Sequence, residues 1–270
     1  MIATFPMYDG PVAGPAMAAF WQAWREAIAD AGIDAPSLSP APQTSEELHA
    51  HWRAPDLFIS QTCGFPYLME LVDHVSLIAT PHYAVPGCEG PHYTSNIIVH
   101  RGARARTVEA LAGTTVAING RNSQSGFNAL RAAILPFANA GPFFSSTLET
   151  GSHVASLEAV AERKADCAAI DCVSFAHIAR DRPALVAEVE TIAHTEAVPG
   201  LPFITSATRS DTDVEIFRKT LRQVLTTADL ADVRQALFLS GMSEVPRTAY
   251  DLIRHQVEAA KIAGFDLSPV

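Results

Sequence analysis

The stretch Val116-Ala117-Ile118-Asn119-Gly120-Arg121-Asn122-Ser123-Gln124-Ser125-Gly126-Phe127-Asn128-Ala129-Leu130-Arg131 reads as a strand, a tight polar turn and the first turns of a helix. Phe127, Leu130, Ile134 and Phe137 recur at helical spacing. Ahead of them stand Asn122, Ser123 and Ser125, residue types that cap helices, and Gly126, which lets a ligand approach the backbone. The first N–H groups of a helix have no internal partner and carry the positive end of its dipole. Hydroxyls placed there suit an anion such as phosphate. The competing reading is an ordinary helix cap that binds nothing.

The same strand–turn–helix grammar recurs on either side. Residues 2–5 read as a strand leaving through Tyr8-Asp9-Gly10, and residues 15–31 as an amphipathic helix closed by Gly32. Thr44-Ser45-Glu46-Glu47 is a capping box for a short helix through Trp52. Residues 57–59 form a buried strand, followed by Ser60-Gln61-Thr62-Cys63-Gly64 and a helix over 65–71. Strands are expected at 75–80, 93–100, 115–118, 166–170 and 186–193, with helices over 154–163 and 173–179. From Ser210 onward the pattern is helical only: 210–225, 231–239 and 246–263, the last closed by Gly264. Alternation of this kind implies an α/β protein with mostly parallel sheets, in which ligands bind beyond the carboxyl ends of strands. The turns at Tyr8, at Ser60-Gln61-Thr62, at 122–126 and at Gly151-Ser152-His153 all fall at such ends, as does Asp171.

Composition narrows the function. The chain has 270 residues, is 48% hydrophobic, and carries 19 Lys plus Arg against 29 Asp plus Glu, a net charge of −10. Mean hydropathy is +0.13. With no basic run, nucleic acid is excluded as a partner, yet neutral dipoles at helix ends can still hold an anion. No apolar run reaches the ~20 residues that span a bilayer, so direct membrane insertion is not expected. The first residues do not read as a signal peptide; a periplasmic location would need an upstream leader, and the cytoplasm is the expectation otherwise. Cys63, Cys88, Cys167 and Cys172 lack zinc-like spacing. Cys63 and Cys88 lie in polar loops and could pair in an oxidising compartment, whereas Cys167 and Cys172 bracket an apolar strand and read as buried thiols. His82, His92, His100 and Tyr93 have no ligand spacing, and neither a metal nor another cofactor is expected.

Several motifs in order carry a family resemblance: Ser60-Gln61-Thr62-Cys63-Gly64, Leu111-Ala112-Gly113-Thr114-Thr115-Val116-Ala117-Ile118, Asn122-Ser123-Gln124-Ser125-Gly126, Thr150-Gly151-Ser152-His153-Val154-Ala155-Ser156 and Ala165-Asp166-Cys167-Ala168-Ala169-Ile170-Asp171. Together they resemble the phosphonate/phosphate/phosphite-binding family of ABC transporter substrate-binding proteins. The resemblance implies a type II periplasmic-binding fold of two α/β lobes with the ligand in the cleft between them. One lobe would be residues 1–86 plus 195–270 and the other 87–194. It implies that Ser123, Gln124, Ser125 and Gly126, with Asn122 before them, meet the oxyanion. His153 would add a donor, Asp171 would take an organic amine, Tyr8 would line the cleft, and Gln61 and Thr62 would face the ligand from the other lobe. Gln124 departs from the family, standing where many members carry Ser or Thr. The implied partners are a small oxyanion and a membrane permease.

Each residue also has a plainer reading. Ser123 and Ser125 can be caps, His153 a buried structural histidine, Asp171 the cap of the helix after it, Tyr8 a core-edge tyrosine, and Gln61-Thr62 a simple turn. Two other functions suit the same fold: a biosynthetic enzyme of the thiamine-precursor or menaquinone-pathway type, with His153 and Asp171 as acid/base groups, or a cytosolic ligand sensor. No activated nucleophile or carboxylate pair stands out for the enzyme.

Overall fold

A computed structural model of the chain describes residues 1–138 and 142–262. The chain divides into two compact units. One comprises Met1–Ala84, Glu89–His92 and Pro199–Ala249; the other comprises Val85–Cys88, Tyr93–Val198 and Tyr250–Val270.

The first unit is built on a five-stranded sheet in the order Ile2–Thr4, Leu57–Gln61, Phe203–Ser206, Val75–Tyr83, Leu239–Ser243. Helix Ala13–Asp30 buries Met17, Phe20, Trp21, Trp24 and Ile28, spaced three and four apart along one stripe. Trp24 has no accessible surface, and its indole N–H donates to Thr220 Oγ1 at 3.0 Å. That acceptor sits on helix Asp211–Thr226, which buries Val214, Phe217, Leu221 and Val224. Each such large side chain removed from water contributes about 1.5–3 kcal/mol. Caps lie where the residue types placed them. Thr44 accepts from the Glu47 N–H at 3.1 Å, Glu47 reaches back to the Gln43 N–H at 2.7 Å, and Ser210 accepts from the Asp213 N–H.

The second unit carries a sheet in the order Val189–His194, Ser95–His100, Cys167–Asp171, Thr115–Ile118, Ser146–Glu149. Its central strands read as unbroken apolar runs because both faces are covered. Ile97, Val99, Val116, Ile118 and Ala169 join one cluster with Leu130, Ile134, Phe143 and Phe144. The alternate residues Ile98, Ala117, Ala168 and Ile170 join another with Leu157 and Val160.

Four features differ from expectation. Both sheets are mixed, not mostly parallel. In the first, the neighbouring strands Ile2–Thr4 and Leu57–Gln61 pair parallel, while Phe203–Ser206 enters antiparallel to both its neighbours and Leu239–Ser243 is antiparallel to Val75–Tyr83. In the second, Ser95–His100 runs antiparallel to both its neighbours. Ser95–His100 and Phe203–Ser206 are each entered from a preceding strand without an intervening helix, so no helix crossover holds them parallel to their neighbours. Leu239–Ser243 follows helices from Phe203–Ser206, runs the same way as that strand, and is antiparallel to the Val75–Tyr83 strand between them. Strands Ser146–Glu149, Phe203–Ser206 and Leu239–Ser243 went unread. The first and last are edge strands with exposed polar residues and little alternation, and Phe203–Ser206 is a four-residue run buried on both faces, too short to show a period.

The last helix, Asp251–Ile262, groups with the second unit and not the first, since it buries Ile253, Gln256, Val257 and Ala260 there. Its expected end at Ala263-Gly264 lies outside the described residues. Finally, the thiol beside Cys88 is that of Cys172, with the sulfurs 3.4 Å apart. Cys167 and Cys172 are buried, as read. Among the described residues no helix is long and apolar enough to cross a membrane.

Candidate functional site

Strands Thr115–Ile118, Ser146–Glu149 and Cys167–Asp171 run parallel. Their carboxyl ends therefore share one edge of the second sheet, and the turns leaving them are neighbours. Three stretches far apart in sequence meet here: 119–126, 150–153 and 171–172. Thr150 ties the first two together. Its N–H and its hydroxyl both donate to the Ile118 carbonyl, at 2.9 and 3.0 Å, and its hydroxyl also lies 2.6 Å from Ser156 Oγ.

The helix that starts at this edge opens with a π turn, Gln124–Asn128, before continuing as α-helix through Ile134. The Asn128 N–H reaches back five residues to the Ser123 carbonyl at 3.0 Å. Such wide turns occur disproportionately at functional sites. Ser123 is the N-cap, accepting from the Gly126 N–H at 3.1 Å. Its hydroxyl thus has a local task, as the plainer reading held. Ser125, in the first turn, is 3% exposed, and its Oγ lies 2.9 Å from His153 Nε2. Asn122 is half-buried in the turn just before the cap. Gly126 cannot be replaced without movement: a Cβ there would run into Asn119 Oδ1 and stand 3.3 Å from His153 Cε1. Asn119 is the member of this cluster that sequence reasoning passed over. Its Oδ1 is buried without a hydrogen-bond partner among the described residues, and its only sequence signal is a polar residue directly at the end of an apolar strand.

His153 opens helix His153–Ala161, which Ser152 caps by accepting from the Ala155 N–H. Burial pushes the imidazole pKa down to about 4, with a smaller opposing influence from the Ala169 carbonyl. Nδ1 is buried and has no hydrogen-bond partner among the described residues. The ring is therefore neutral at pH 7. With the proton on Nε2 it donates to Ser125 Oγ and leaves the Ser125 O–H free to donate elsewhere; with the proton on Nδ1 it accepts from Ser125 instead. A helix start by itself disfavours an imidazolium through its dipole; the dominant cause here is burial.

Gln124 has a different place from the one the family pattern implies. It has no accessible surface, and both ends of its amide are engaged. Nε2 donates to Gln256 Oε1 at 3.0 Å, and Oε1 accepts from Asn128 Nδ2 at 2.9 Å. Gln256 in turn donates to Glu196 Oε2 at 3.2 Å. Gln124 thereby fastens the Ser-bearing helix to the chain's last helix. Asp171 serves as a cap: its Oδ1 accepts from the Val173 and Ser174 N–H groups at 2.7 and 2.8 Å.

The remaining candidates belong to the first unit and form their own cluster. Tyr8 is 5% exposed and meets the Tyr83 ring edge-on, with centroids 5.3 Å apart. Gln61 Nε2 donates to Tyr83 Oη and to the Leu201 carbonyl, both at 3.0 Å, while its Oε1 is buried without a partner among the described residues. Thr62 is fully buried and its N–H donates to the Pro202 carbonyl at 3.2 Å.

Residues 16–250 match the family described as the periplasmic phosphonate substrate-binding protein of ABC transporters. The chain belongs to that family, whose members are transporter solute receptors of the periplasm. No functionally curated protein matches it in sequence. Among solved structures it is similar to a binding protein component of an ABC phosphonate transporter, PA3383 from Pseudomonas aeruginosa (TM-score 0.76, 16% identity, covering 97% of this chain and 87% of that one). It is also similar to PhnD1 from Prochlorococcus marinus in complex with methylphosphonate (TM-score 0.73, 12% identity, covering 97% of each). A third is XAC2383 from Xanthomonas citri bound to ATP (TM-score 0.72, 13% identity, covering 97% and 98%). At such identities the likeness establishes the fold, the two-lobed periplasmic-binding architecture, and not the ligand.

Proposed function

We propose that this protein is the solute receptor of an ABC importer and binds a small phosphonate or phosphate-like oxyanion at the start of the helix that follows Ser123. The observation that carries the reading is the Ser125–His153 pair, 2.9 Å apart. It stands in the first helical turn, where free N–H groups and the dipole favour an anion. All the donors are neutral. A neutral His153 protonated on Nε2 donates a hydrogen bond to Ser125 Oγ, so that the serine O–H turns to the ligand. Methylphosphonate in a relative of the same fold supports this choice of ligand class. The chain delivers its ligand to a membrane permease, and no turnover is part of its task.

Hydrogen bonds to a charged ligand contribute roughly 1.5–3 kcal/mol each. Ser125→Ala is therefore expected to weaken methylphosphonate or inorganic phosphate binding about 10- to 150-fold in isothermal titration. Unchanged affinity in a folded variant would move the site elsewhere. Product formation on prolonged incubation with the bound ligand would favour the enzyme reading.

A further inference from the structure

We propose that Cys88 and Cys172 form a disulfide in the oxidising compartment where this family works, and that this bond, not one from Cys63, is the covalent staple of the second unit. The backbone brings the two residues together by a specific device. Gly87, at φ +95°, has no room for a side chain: a Cβ there would stand 2.6 Å from Thr94 Oγ1 and 3.0 Å from Cys172 Cβ. The Gly87 carbonyl accepts from both the N–H and the hydroxyl of Thr94, and the Thr94 carbonyl accepts from the Cys172 N–H at 3.1 Å. Thr94 is thus a clamp holding the Gly87-Cys88 backbone to the first residue of helix Cys172–Asp181. The sulfurs are left 3.4 Å apart. Closing to the bonded separation of about 2.05 Å needs only a small side-chain adjustment.

The two thiols differ in a way that orders the chemistry. Cys88 is half-buried and reachable from solvent, whereas Cys172 is 2% exposed. Contact with Cys88, burial and the neighbouring Asp171 carboxylate all hold the Cys172 thiol protonated. Cys88, as thiolate, attacks one sulfur of an oxidised dithiol partner, a thiol–disulfide oxidoreductase or oxidised glutathione, and the first partner thiolate leaves. Cys172 gives up its proton and attacks the Cys88 sulfur of the mixed disulfide, releasing the second partner thiolate. The two cysteines lose two protons and two electrons, and the partner disulfide becomes two thiols. The bond joins residues 84 positions apart in sequence. It also pins the Gly87-Cys88 turn to the helix start next to Asp171.

The test uses the whole wild-type chain, fully reduced and then equilibrated in an oxidising glutathione buffer. The expected result is a mass loss of about 2 Da, two alkylatable thiols after denaturation, and a single linked peptide pair containing Cys88 and Cys172. Melting should rise by several degrees on oxidation in wild type and stay constant in Cys88→Ser. Four alkylatable thiols after equilibration, or a mapped bridge containing Cys63 or Cys167, would overturn the proposal. Because the mapping is done on wild type, it decides the question even where a serine variant folds poorly.

Discussion

Burial keeps His153 uncharged at neutral pH, and that has a cost when the pH falls. Its pKa is pushed down to about 4 by burial. The same holds for His177, where burial is joined by the nearby Arg180 charge. In the unfolded chain both rings take up a proton near pH 6.5. Between about pH 6.5 and 4 the unfolded state thus binds more protons than the folded one, and stability falls as pH falls through that window. The loss is at most about 1.4 kcal/mol per pH unit per histidine. Urea unfolding midpoints are expected to drop from pH 6.5 to pH 5, a range chosen to stay above the carboxylates. His153→Gln should flatten part of that slope, and an unchanged slope would mean that the ring is hydrated in solution. Ser125 and His153 were both legible as candidates from residue type and position. Their pairing was not, because 28 residues separate them and only the parallel pairing of their strands sets them side by side.

The helix that bears Ser125 is held from behind by the chain's last helix. Gln256 is 6% exposed and accepts from Gln124 and Asn128 while donating to Glu196. Removing it leaves the buried Gln124 amide donor without this acceptor, at a cost of about 1–3 kcal/mol. Gln256→Ala is expected to lower the melting temperature by several degrees. It should also weaken oxyanion binding, because the π turn that presents Ser125 loses its backing. A variant with wild-type melting and affinity would show that the amide ladder is dispensable. From sequence, Gln124 looked like a ligand contact and the last helix like part of the other unit. The amphipathic pattern of residues 251–262 states only that one face is buried; it does not say against what.

Taken over the whole chain, the net charge of −10 sets the terms on which an anion approaches. The proposed donors are neutral and act at hydrogen-bond range, whereas the long-range field repels the ligand. Raising ionic strength from about 10 mM to 150 mM shortens the screening length to ~8 Å and weakens that repulsion. Stopped-flow association with methylphosphonate should therefore hold steady or quicken as salt is added. A steep fall in rate or affinity with salt would reveal a cationic site in place of the neutral one.

The amino-acid order alone settled the α/β class, most helices with their caps, most of the buried strands though not Phe203–Ser206, and the family, because apolar periodicity, capping residues and short motifs are local signals. Strand direction, the two polar edge strands, the grouping of the last helix with the second unit and the approach of Cys172 to Cys88 were decided only in three dimensions. Each depends on which distant segments pair. That is governed by the burial of shared faces and by backbone hydrogen bonds between residues tens of positions apart, and no local run of residues encodes it.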